Sequence, residues 1–346
     1  MQSNHGWKSA VLIGAGRMGR SHALALKEMG VSLRAVCDVN AEARARVGEE
    51  FGVAEGNRVS RPEELAEAIR GADVVAIATT ADSHRTLVTL AAENGARNIL
   101  CEKPLATSVA DCDAMIRACE KSGARLAVNH QMRFMDQYLL VRGVLADGAI
   151  GRLASMTVVA GCFGLAMNGS HYIEAFAFLT GSAPAQAAGW FSGAAFQNPR
   201  GPQFFDQAGE FRIVSESGQR LMMVIGADQG HGMTTMYAGE LGHVFVDELE
   251  GEAIVTTRKP EHRGQPMTRY GMPWDRRSVR FPQADNVKPT RAVYEALAAG
   301  AGYPSGADGR RVIAALAACY ASAENGGGPV ALESIAGAAA RRFPWA

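Results

Sequence analysis

The sequence carries no surplus of either charge. Its 35 lysine and arginine residues equal its 35 aspartate and glutamate residues, so the formal net charge is zero. A chain without a basic field lacks the general attraction on which nucleic-acid and membrane-surface binders rely. No uninterrupted apolar segment approaches the ~18–20 residues of a membrane span, and the first residues lack the apolar stretch of a secretory signal. We therefore expect a cytoplasmic protein that binds neither nucleic acid nor membrane.

Cysteine and histidine are sparse, and neither forms a metal-binding pattern. The six cysteines include no C-x-x-C pair, and most of them lie in apolar runs, where a free thiol behaves as a small apolar side chain. The eight histidines show no H-x-x-x-H spacing. The sequence therefore predicts no metal site.

A chain of 346 residues is longer than one hydrophobic core usually supports, so we expect two domains, at residues 1–130 and 131–346. In the first, short apolar runs alternate with helix-like stretches. The predicted strands are Ala10–Gly14, Leu33–Cys37, Asp73–Thr79, Asn98–Cys101 and Arg125–Asn129. The predicted helices are Arg17–Met29, Ala41–Phe51, Pro62–Ile69, Ser83–Asn94 and Ser108–Lys121. This alternation predicts a doubly wound parallel sheet, that is, an α/β Rossmann domain.

Residues 131–346 show a different pattern, in which extended segments are separated by hairpin-like dipeptides. The predicted strands are Gly151–Cys162, Ala185–Ser192, Glu210–Ser215, Gln219–Ala227, Gly242–Leu249 and Glu252–Thr257. Long helices are expected only at Thr290–Ala299 and Gly309–Glu324, and loops at 197–206 and 259–282. The pattern predicts an α+β domain with a largely antiparallel sheet, whose last helices could pack back on the first domain.

The first predicted strand is followed by a glycine-rich motif, Gly14-Ala15-Gly16-Arg17-Met18-Gly19, which opens the first predicted helix. In a dinucleotide site the first glycine permits the tight turn, the second lets the backbone approach the pyrophosphate, and the third lets the helix pack on its strand. The unpaired N–H groups of the helix would face the phosphates. The motif alone is weak evidence, because the chain contains 39 glycines.

An acidic residue strengthens this interpretation. Asp38 ends the second predicted strand, where a carboxylate can accept hydrogen bonds from the ribose hydroxyls of adenosine. The same carboxylate would repel a 2′-phosphate, and no arginine follows directly, so NAD is predicted in preference to NADP. The alternative is that Asp38 caps the next helix.

The end of the strand at 73–79 is also polar. In an open α/β sheet, ligands bind outside the carboxyl ends of the strands. Thr79, Thr80 and His84 could therefore border the cofactor. Asp82 and Ser83, which lie between them, could instead cap the following helix.

Further motifs occur in order along the chain: Glu102-Lys103-Pro104, Asn129-His130-Gln131-Met132-Arg133-Phe134, Gly148-Ala149-Ile150-Gly151, His171-Tyr172-Ile173-Glu174, Leu179-Thr180-Gly181 and Asp308-Gly309. With the glycine loop, they resemble the glucose–fructose oxidoreductase and inositol dehydrogenase family (Gfo/Idh/MocA) over essentially the whole chain. The resemblance implies a Rossmann domain and a mainly antiparallel second domain, whose open sheet face mediates homodimer or homotetramer contacts. It also implies NAD(P)-dependent oxidation or reduction of a sugar, polyol or nucleotide sugar.

The resemblance also implies roles for particular residues. Glu102 and Lys103 would border the cofactor, with Lys103 beside the nicotinamide and the reacting hydroxyl, and His171 would be the catalytic histidine. A base must touch the hydroxyl because oxidation removes a proton along with a hydride, and histidine titrates near neutral pH. A lysine can stabilise the alkoxide or act as base if burial lowers its pKa. Without the resemblance, Lys103 would be read as a surface lysine in a turn, and His171 as a helix cap or surface imidazole.

The chain departs from the family pattern at one position. Many relatives carry an aspartate four residues before the histidine, whereas this chain has Met167, which cannot exchange protons. Either Asn168 orients the site, or the proton relay is shorter, or the substrate differs from simple polyols. Glu174 could accept a hydrogen bond or face solvent. Further candidates for substrate contact are Arg133, Asn168 and Tyr172, and His130 could also reach the active-site cleft.

The expected function is thus an NAD-dependent oxidoreductase acting on a small sugar-like substrate. Two alternatives remain open. One is an enzyme that holds NAD and oxidises its substrate transiently to permit elimination, as in NAD-dependent glycosidases, without net redox. The other is a non-catalytic, NAD-binding regulator, which the presence of Met167 allows.

Overall fold

The computed structural model describes residues 6–161, 163–193, 196–197, 200–230, 232–266, 273–283 and 285–345. Cys162, which ends one predicted strand, lies outside the described residues. Within them, two large sheets, a separate two-stranded ribbon and nine α-helices are present. No helix of this described part combines the length and apolarity needed to cross a bilayer.

The first sheet is parallel throughout, and its six strands lie in the order β3-β2-β1-β4-β5-β6 in the described chain. The strands are β1 Ser9–Ile13, β2 Ser32–Cys37, β3 Arg58–Val59, β4 Val74–Ile77, β5 Asn98–Cys101 and β6 Arg125–Val128. The helices that connect them are α1 Arg17–Glu28, α2 Ala41–Glu50, α3 Ala66–Arg70, α4 Ala81–Glu93 and α5 Val109–Ser122. This strand order is that of a dinucleotide-binding Rossmann domain, as predicted, with a crevice where the order reverses between β1 and β4.

Alternate residues of each strand pack on opposite faces of this sheet, because side chains in a strand alternate in direction. Ala10 and Leu12 of β1 join the core beneath α1, whereas Val11 and Ile13 join the larger core on the other face. Both faces are therefore covered, which explains why these strands appear in the sequence as short, continuous apolar runs.

The second sheet is mixed and mostly antiparallel, with nine strands in the order β16-β15-β14-β13-β7-β12-β11-β8-β17 in the described chain. Its strands are β7 Leu153–Gly161, β8 Pro184–Phe191, β11 Gly209–Ser215, β12 Arg220–Gly226, β13 Thr234–Gly239, β14 Gly242–Asp247, β15 Glu252–Arg258, β16 Trp274–Arg280 and β17 Val330–Ala331. Two short strands, β9 Phe196–Gln197 and β10 Phe205–Asp206, form a separate ribbon. Only β7 and β12 pair in parallel among the described neighbours.

Four helices accompany the second sheet: α6 Asp136–Ala146, α7 Ser170–Thr180, α8 Val287–Ala299 and α9 Gly306–Glu324. Helix α8 packs against α1, and α9 packs against both α5 and β8. Tyr294 of α8 bonds through its hydroxyl to His22 of α1 at 2.7 Å. The last long helices therefore contact the first sheet and its helices as well as the second sheet.

Several elements differ from the sequence-based prediction. Helix α6 was not predicted. Helix α7 was implied only by the resemblance, because an eleven-residue helix that is buried on most sides shows no polar face to mark its period. Strand β13 was also missed. Strand β16 lies inside the region predicted as loop at 259–282: it is a charged edge strand, and charge on an edge is how proteins prevent further strand pairing. The predicted loop at 197–206 contains the ribbon strand β10.

Candidate active site

The glycine loop joins β1 to α1 at the crevice of the first sheet. Gly14 has a φ of +97°, which only glycine adopts readily, and its N–H donates to the Cys37 carbonyl at 2.8 Å. A β-carbon at Gly19 would overlap the Gly14 carbonyl oxygen, so close helix–strand packing requires glycine there. A β-carbon at Gly16 would meet open space, and Gly16 is exposed. The second glycine thus leaves room for a ligand.

The amino end of α1 has no side-chain cap, whereas α2, α5 and α9 are capped by Asn40, Ser108 and Ser305. Its first N–H groups face a cavity of about 630 Å³. Seven of the predicted cofactor residues line this cavity: Gly14, Gly16, Arg17, Met18, Asp38, Thr79 and Thr80. An uncapped helix end on a cavity of this size suits an anionic group such as a pyrophosphate.

Asp38 faces the same cavity from the end of β2. Its carboxylate accepts the Ala15 N–H at 2.6 Å and the Asn40 N–H at 2.8 Å. The side chain that caps α2 is that of Asn40, which accepts the Ala43 N–H at 2.9 Å. The alternative interpretation of Asp38 as the cap of this helix is therefore wrong.

The polar residues after β4 divide between the cavity and the interior. Thr79 and Ser83 bond to each other through their hydroxyls at 2.7 Å and lie on the cavity wall. His84 is fully buried, with its ring nitrogens 3.1 Å from the Leu105 carbonyl and 3.2 Å from the Thr79 carbonyl. The prediction that His84 borders the cofactor is corrected: it ties α4 to the loop after Lys103.

Glu102 also lies away from the cavity wall. Its carboxylate is buried and accepts hydrogen bonds from Asn129 Nδ2 at 2.8 Å and from the Lys103 N–H. The same carboxylate lies 2.9 Å from His22 Nε2. Burial would raise the pKa of Glu102, but His22, Asn129 and the charge of Lys103 outweigh burial and lower that pKa to about 2. The predicted cofactor contact of the Glu102 side chain is therefore corrected: this carboxylate anchors the loop that carries Lys103.

Lys103 follows directly and is half-buried at the carboxyl end of β5. Its Nζ donates to the Met167 carbonyl at 2.5 Å. Burial lowers the pKa of Lys103 to about 8, assisted by the positive charges of Arg200 and Arg17 and opposed by Glu102 and Asp206. An amine with this pKa can exchange a proton near neutrality, so the interpretation of Lys103 as an ordinary surface lysine in a turn is wrong.

His171 stands near Lys103, in the first turn of α7, together with a second histidine. The rings of His171 and His130 are perpendicular, with centroids 5.6 Å apart, and both residues are buried. Neither nitrogen of His130 nor the Nδ1 of His171 has a hydrogen-bond partner within the described structure. Burial lowers the pKa of His130 to about 3 and that of His171 well below its ordinary value, assisted by the charge of Lys103. Both imidazoles are therefore neutral at pH 7.

Three other predicted site residues differ in their surroundings. Asn168 is half-buried in the π-helical turn that precedes α7, beside Met167. Tyr172 is buried and its hydroxyl donates to Glu248 at 3.1 Å. Arg133 is buried, pairs with Glu174 and lies 4.4 Å from the centre of the Phe178 ring.

The substrate contacts of Tyr172 and Arg133 stay predictions, and both side chains have partners within the protein. Arg133 lines a different cavity, of about 420 Å³. Its ion pair with Glu174 holds α7 in place. Glu174 does not face solvent, because only 2% of it is exposed. Burial raises the pKa of Glu174 to about 7, and Arg133 opposes this rise.

Comparison with known proteins identifies the first part of the chain. Residues 8–130 match the model of the Gfo/Idh/MocA family, which is described as an oxidoreductase family with an NAD-binding Rossmann fold. These residues are therefore similar to the Rossmann domain of that family. The resemblance inferred from the motifs is confirmed, and so is the prediction of an NAD-binding domain.

Named dehydrogenases are similar to part of the chain. The D-apiose dehydrogenase of Paraburkholderia graminis is 40% identical over 141 residues, which are 40% of this chain and 36% of that protein. The inositol 2-dehydrogenase of Rhizobium meliloti is 33% identical over 153 residues, which are 42% of this chain and 43% of that protein. The matches therefore span about two fifths of the length of these relatives.

Solved structures share the fold of nearly the whole chain. An oxidoreductase from Agrobacterium radiobacter in complex with NAD⁺, L-tartaric acid and magnesium has a TM-score of 0.79 at 23% identity and covers 95% of this chain and 99% of its own. An inositol dehydrogenase homologue from Azotobacter vinelandii with NAD⁺ has a TM-score of 0.76 at 16% identity, covering 94% and 97%. These solved structures therefore share with this chain a Rossmann domain followed by a mostly antiparallel sheet.

Sequence reasoning missed two residues whose charges act on Lys103, and it gave His130 little weight. Asp206, on β10, accepts N–H groups from the turn before α7. Arg200 lines the cavity of the glycine loop from the same stretch of chain. Both lie where a loop was predicted, and no local pattern marks them. His130 was named only as a residue that could reach the cleft; it lies two residues after the end of β6, at the carboxyl edge where ligands bind.

Proposed function

We propose that the protein is an NAD-dependent oxidoreductase that transfers a hydride between nicotinamide and the carbinol carbon of a sugar, polyol or nucleotide sugar. Residues 1–130 would hold the cofactor, and residues 131–346 would hold the substrate and mediate assembly. One observation carries the proposal: Lys103, an amine with a lowered pKa, lies at the carboxyl end of β5 beside the glycine-loop crevice and opposite two buried, neutral imidazoles. The named relatives support this class of reaction.

The residues divide the chemistry of alcohol oxidation between them. The nicotinamide, when bound, accepts the hydride from the carbinol carbon. The hydroxyl proton must go to the protein, and either the neutral amine of Lys103 or the imidazole of His171 can take it. In the reverse direction the Lys103 ammonium donates a proton to the carbonyl oxygen. The unpartnered nitrogens of His130 and His171 are suited to hydrogen bonds with substrate hydroxyls.

Net formation of NADH tests this proposal. The protein is incubated with NAD⁺ and a panel of aldoses, polyols and nucleotide sugars, and NADH absorbance and products are followed together. We expect NADH and a keto or lactone product in equal amounts. Product without NADH would replace the proposal with transient, internally recycled oxidation, and tight NAD binding without any product would indicate a regulator.

The Asp38 carboxylate should set the preference for NAD. Asp38→Ala removes the acceptor for the ribose hydroxyls and the repulsion of a 2′-phosphate. We expect the affinity for NAD⁺ to fall by about 10- to 100-fold, the equivalent of one charge-assisted hydrogen bond, while the affinity for NADP⁺ rises or stays constant. Fluorescence titration with NADH and NADPH measures both, and Asp82→Ala, at an exposed position in the first turn of α4, is the control. An unchanged affinity ratio would contradict the assignment.

The lowered pKa of Lys103 predicts a pH dependence with opposite signs for the two directions. A base must be unprotonated, so the rate of alcohol oxidation should rise as the pH increases through about 8. The acid needed for reduction is the ammonium form, so the rate of reduction should fall over the same interval. Initial rates of oxidation and of reduction are measured between pH 6 and pH 10, roughly two units on either side of the Lys103 pKa. Limbs that rise or fall together would exclude Lys103 as the group that exchanges the proton.

We also propose that the chain assembles as a homodimer or homotetramer through the open face of the second sheet. Trp190 on β8 and Met222 on β12 are about half exposed, and both flank β11 on the same face, since Glu210 pairs with Trp190 and Arg212 with Met222. Exposed large apolar side chains on one sheet face favour a protein interface. Light scattering coupled to size exclusion measures the assembly, and a monomer at all concentrations would contradict it.

A further inference from the structure

Two side chains bond to the backbone of Met167, one to its carbonyl and one to its N–H. The Lys103 ammonium donates to the Met167 carbonyl at 2.5 Å, and the Met167 N–H donates to Asp206 Oδ2 at 2.6 Å. Met167 has no titratable side chain of its own, so its backbone is the link between an amine and a carboxylate. The carboxylate comes from β10, which is distant from Lys103 and from Met167 in the sequence.

The site around Asp206 is built for a carboxylate. Its oxygens accept the N–H groups of Ala166 at 2.9 Å, Met167 and Gln207 at 2.9 Å, and only 2% of the residue is exposed. The Tyr320 hydroxyl lies 3.5 Å away. Several N–H donors converging on one buried side chain stabilise its ionised form.

The carboxyl group of Asp206 lies close to the backbone of Gly164. A β-carbon at position 164 would overlap the carboxyl group of Asp206. The backbone of Gly164 has φ −95°, which any residue can adopt, so space and not backbone strain requires glycine there. The turn before α7 therefore has room for Asp206 only because position 164 lacks a side chain.

We propose that Asp206 is a positioning residue for Lys103: it fixes the Met167 backbone that receives the lysine ammonium and supplies the negative charge that favours the charged form of the amine. This inference rests on the proposed function only for its catalytic consequence, because the contacts themselves hold without it. Asp206 does not exchange a proton with substrate in this scheme, since its oxygens already accept backbone N–H groups.

The charges around both groups decide the sign of the effect. Burial raises the pKa of Asp206 to about 6, and the N–H groups of Ala166, Met167 and Gln207 together with Lys103 oppose that rise. The groups that act on Lys103 from the surrounding elements are Glu102, Asp206, Arg17, Arg200 and the neutral His130 and His171. Glu102 and Asp206 are the two negative ones, so removing Asp206 leaves two arginines opposed by one carboxylate and must lower the pKa of Lys103 further.

The test measures the titration of Lys103 itself, without turnover. The protein is pulse-labelled with acetic anhydride at a series of pH values, and acetylation of Lys103 is quantified by peptide mass spectrometry, since only the neutral amine reacts. We expect a midpoint near pH 8 in the unsubstituted protein and a midpoint about 1 unit lower in Asp206→Asn. Asp73→Asn is the matched control, because Asp73 also accepts backbone N–H groups but lies at the amino end of β4; its midpoint should not move.

Two further measurements separate the outcomes. Gly164→Ala should displace the Asp206 carboxyl and lower the same midpoint, which keeps the test valid if Asp206→Asn does not fold. In activity assays Asp206→Asn should shift the Lys103 limb of the pH profile to lower pH and reduce kcat about 10-fold with unchanged KM for NAD. A Lys103 midpoint that stays constant or rises in the folded variants would overturn the inference. If the midpoint falls as expected but the protein never forms NADH, the inference about Asp206 still holds and only the proposed function is contradicted.

Discussion

Lys103→Met should retain NAD and lose nearly all turnover. The substitution keeps the length and apolar stem of the side chain but removes the amine that donates to the Met167 carbonyl and exchanges the proton. A positioned acid–base group contributes about 10²- to 10⁴-fold, so we expect kcat to fall by about 10³-fold in both directions. The affinity for NADH should change by no more than about twofold, a difference well under 1.4 kcal/mol, because the amine does not line the glycine-loop cavity.

Lys121→Met is the matched control for Lys103→Met. Lys121→Met changes an exposed lysine at the end of α5 and should leave kcat and NADH affinity unaltered. Thermal unfolding of both variants shows whether the fold survives. If Lys103→Met retained a near-normal kcat, proton transfer would have to pass to His171. If it lost NADH binding together with activity, the role of Lys103 would be cofactor binding and not chemistry.

The cofactor half of the site was predictable because its signals are local. The loop that joins β1 to α1 and the first turn of α1 contain Gly14, Gly16 and Gly19, each with a separate steric reason. Asp38 lies directly after the next strand, β2. Parallel strands buried on both faces appear as continuous apolar runs, so their carboxyl ends can be located to within one or two residues. Most of the predicted residues that line the cavity belong to this local pattern, whereas Thr79 and Thr80 follow β4.

The side-chain directions beyond that pattern were not predictable from spacing. His84 and Glu102 lie near the correct strand ends, but both turn into the interior, where other elements supply their partners. Arg133 and Tyr172 stand in motifs beside the catalytic candidates, and within the protein they bond to Glu174 and Glu248. Position along the chain indicates which edge of the sheet a residue reaches, but only the packing of distant elements determines where it points.

The departure at Met167 was visible in the sequence, whereas Asp206 was not. The carboxylate is 39 residues from Met167 along the chain and reaches it through a short ribbon strand in a region rich in loop residues. Nothing in the local sequence of 200–208 distinguishes Asp206 from a solvent-exposed aspartate. Contacts of this kind depend on tertiary structure, so they require coordinates even when the family is evident.

Gly16→Asp should abolish NAD binding at accessible concentrations. Gly16 precedes the uncapped amino end of α1 and a β-carbon there would point into open space, so the aspartate can be accommodated without clash. Its carboxylate would cap the helix and take the position of the pyrophosphate, adding repulsion in place of attraction. We expect NADH affinity to fall by at least about 100-fold, the equivalent of about 2.7 kcal/mol, measured by fluorescence titration.

The same substitution should stabilise the unliganded protein, which distinguishes a lost ligand site from a damaged fold. An N-cap carboxylate in place of glycine contributes only about a few tenths of a kcal/mol to stability, so the Tm without cofactor should stay constant or rise slightly, while the Tm increase produced by NAD should disappear. Gly56→Asp is the control, because Gly56 is also exposed with open space at its β-carbon but lies away from the cavity. Retention of the NAD-induced shift in Gly16→Asp would show that the pyrophosphate does not lie against α1, and the cofactor site proposed for this crevice would then be wrong.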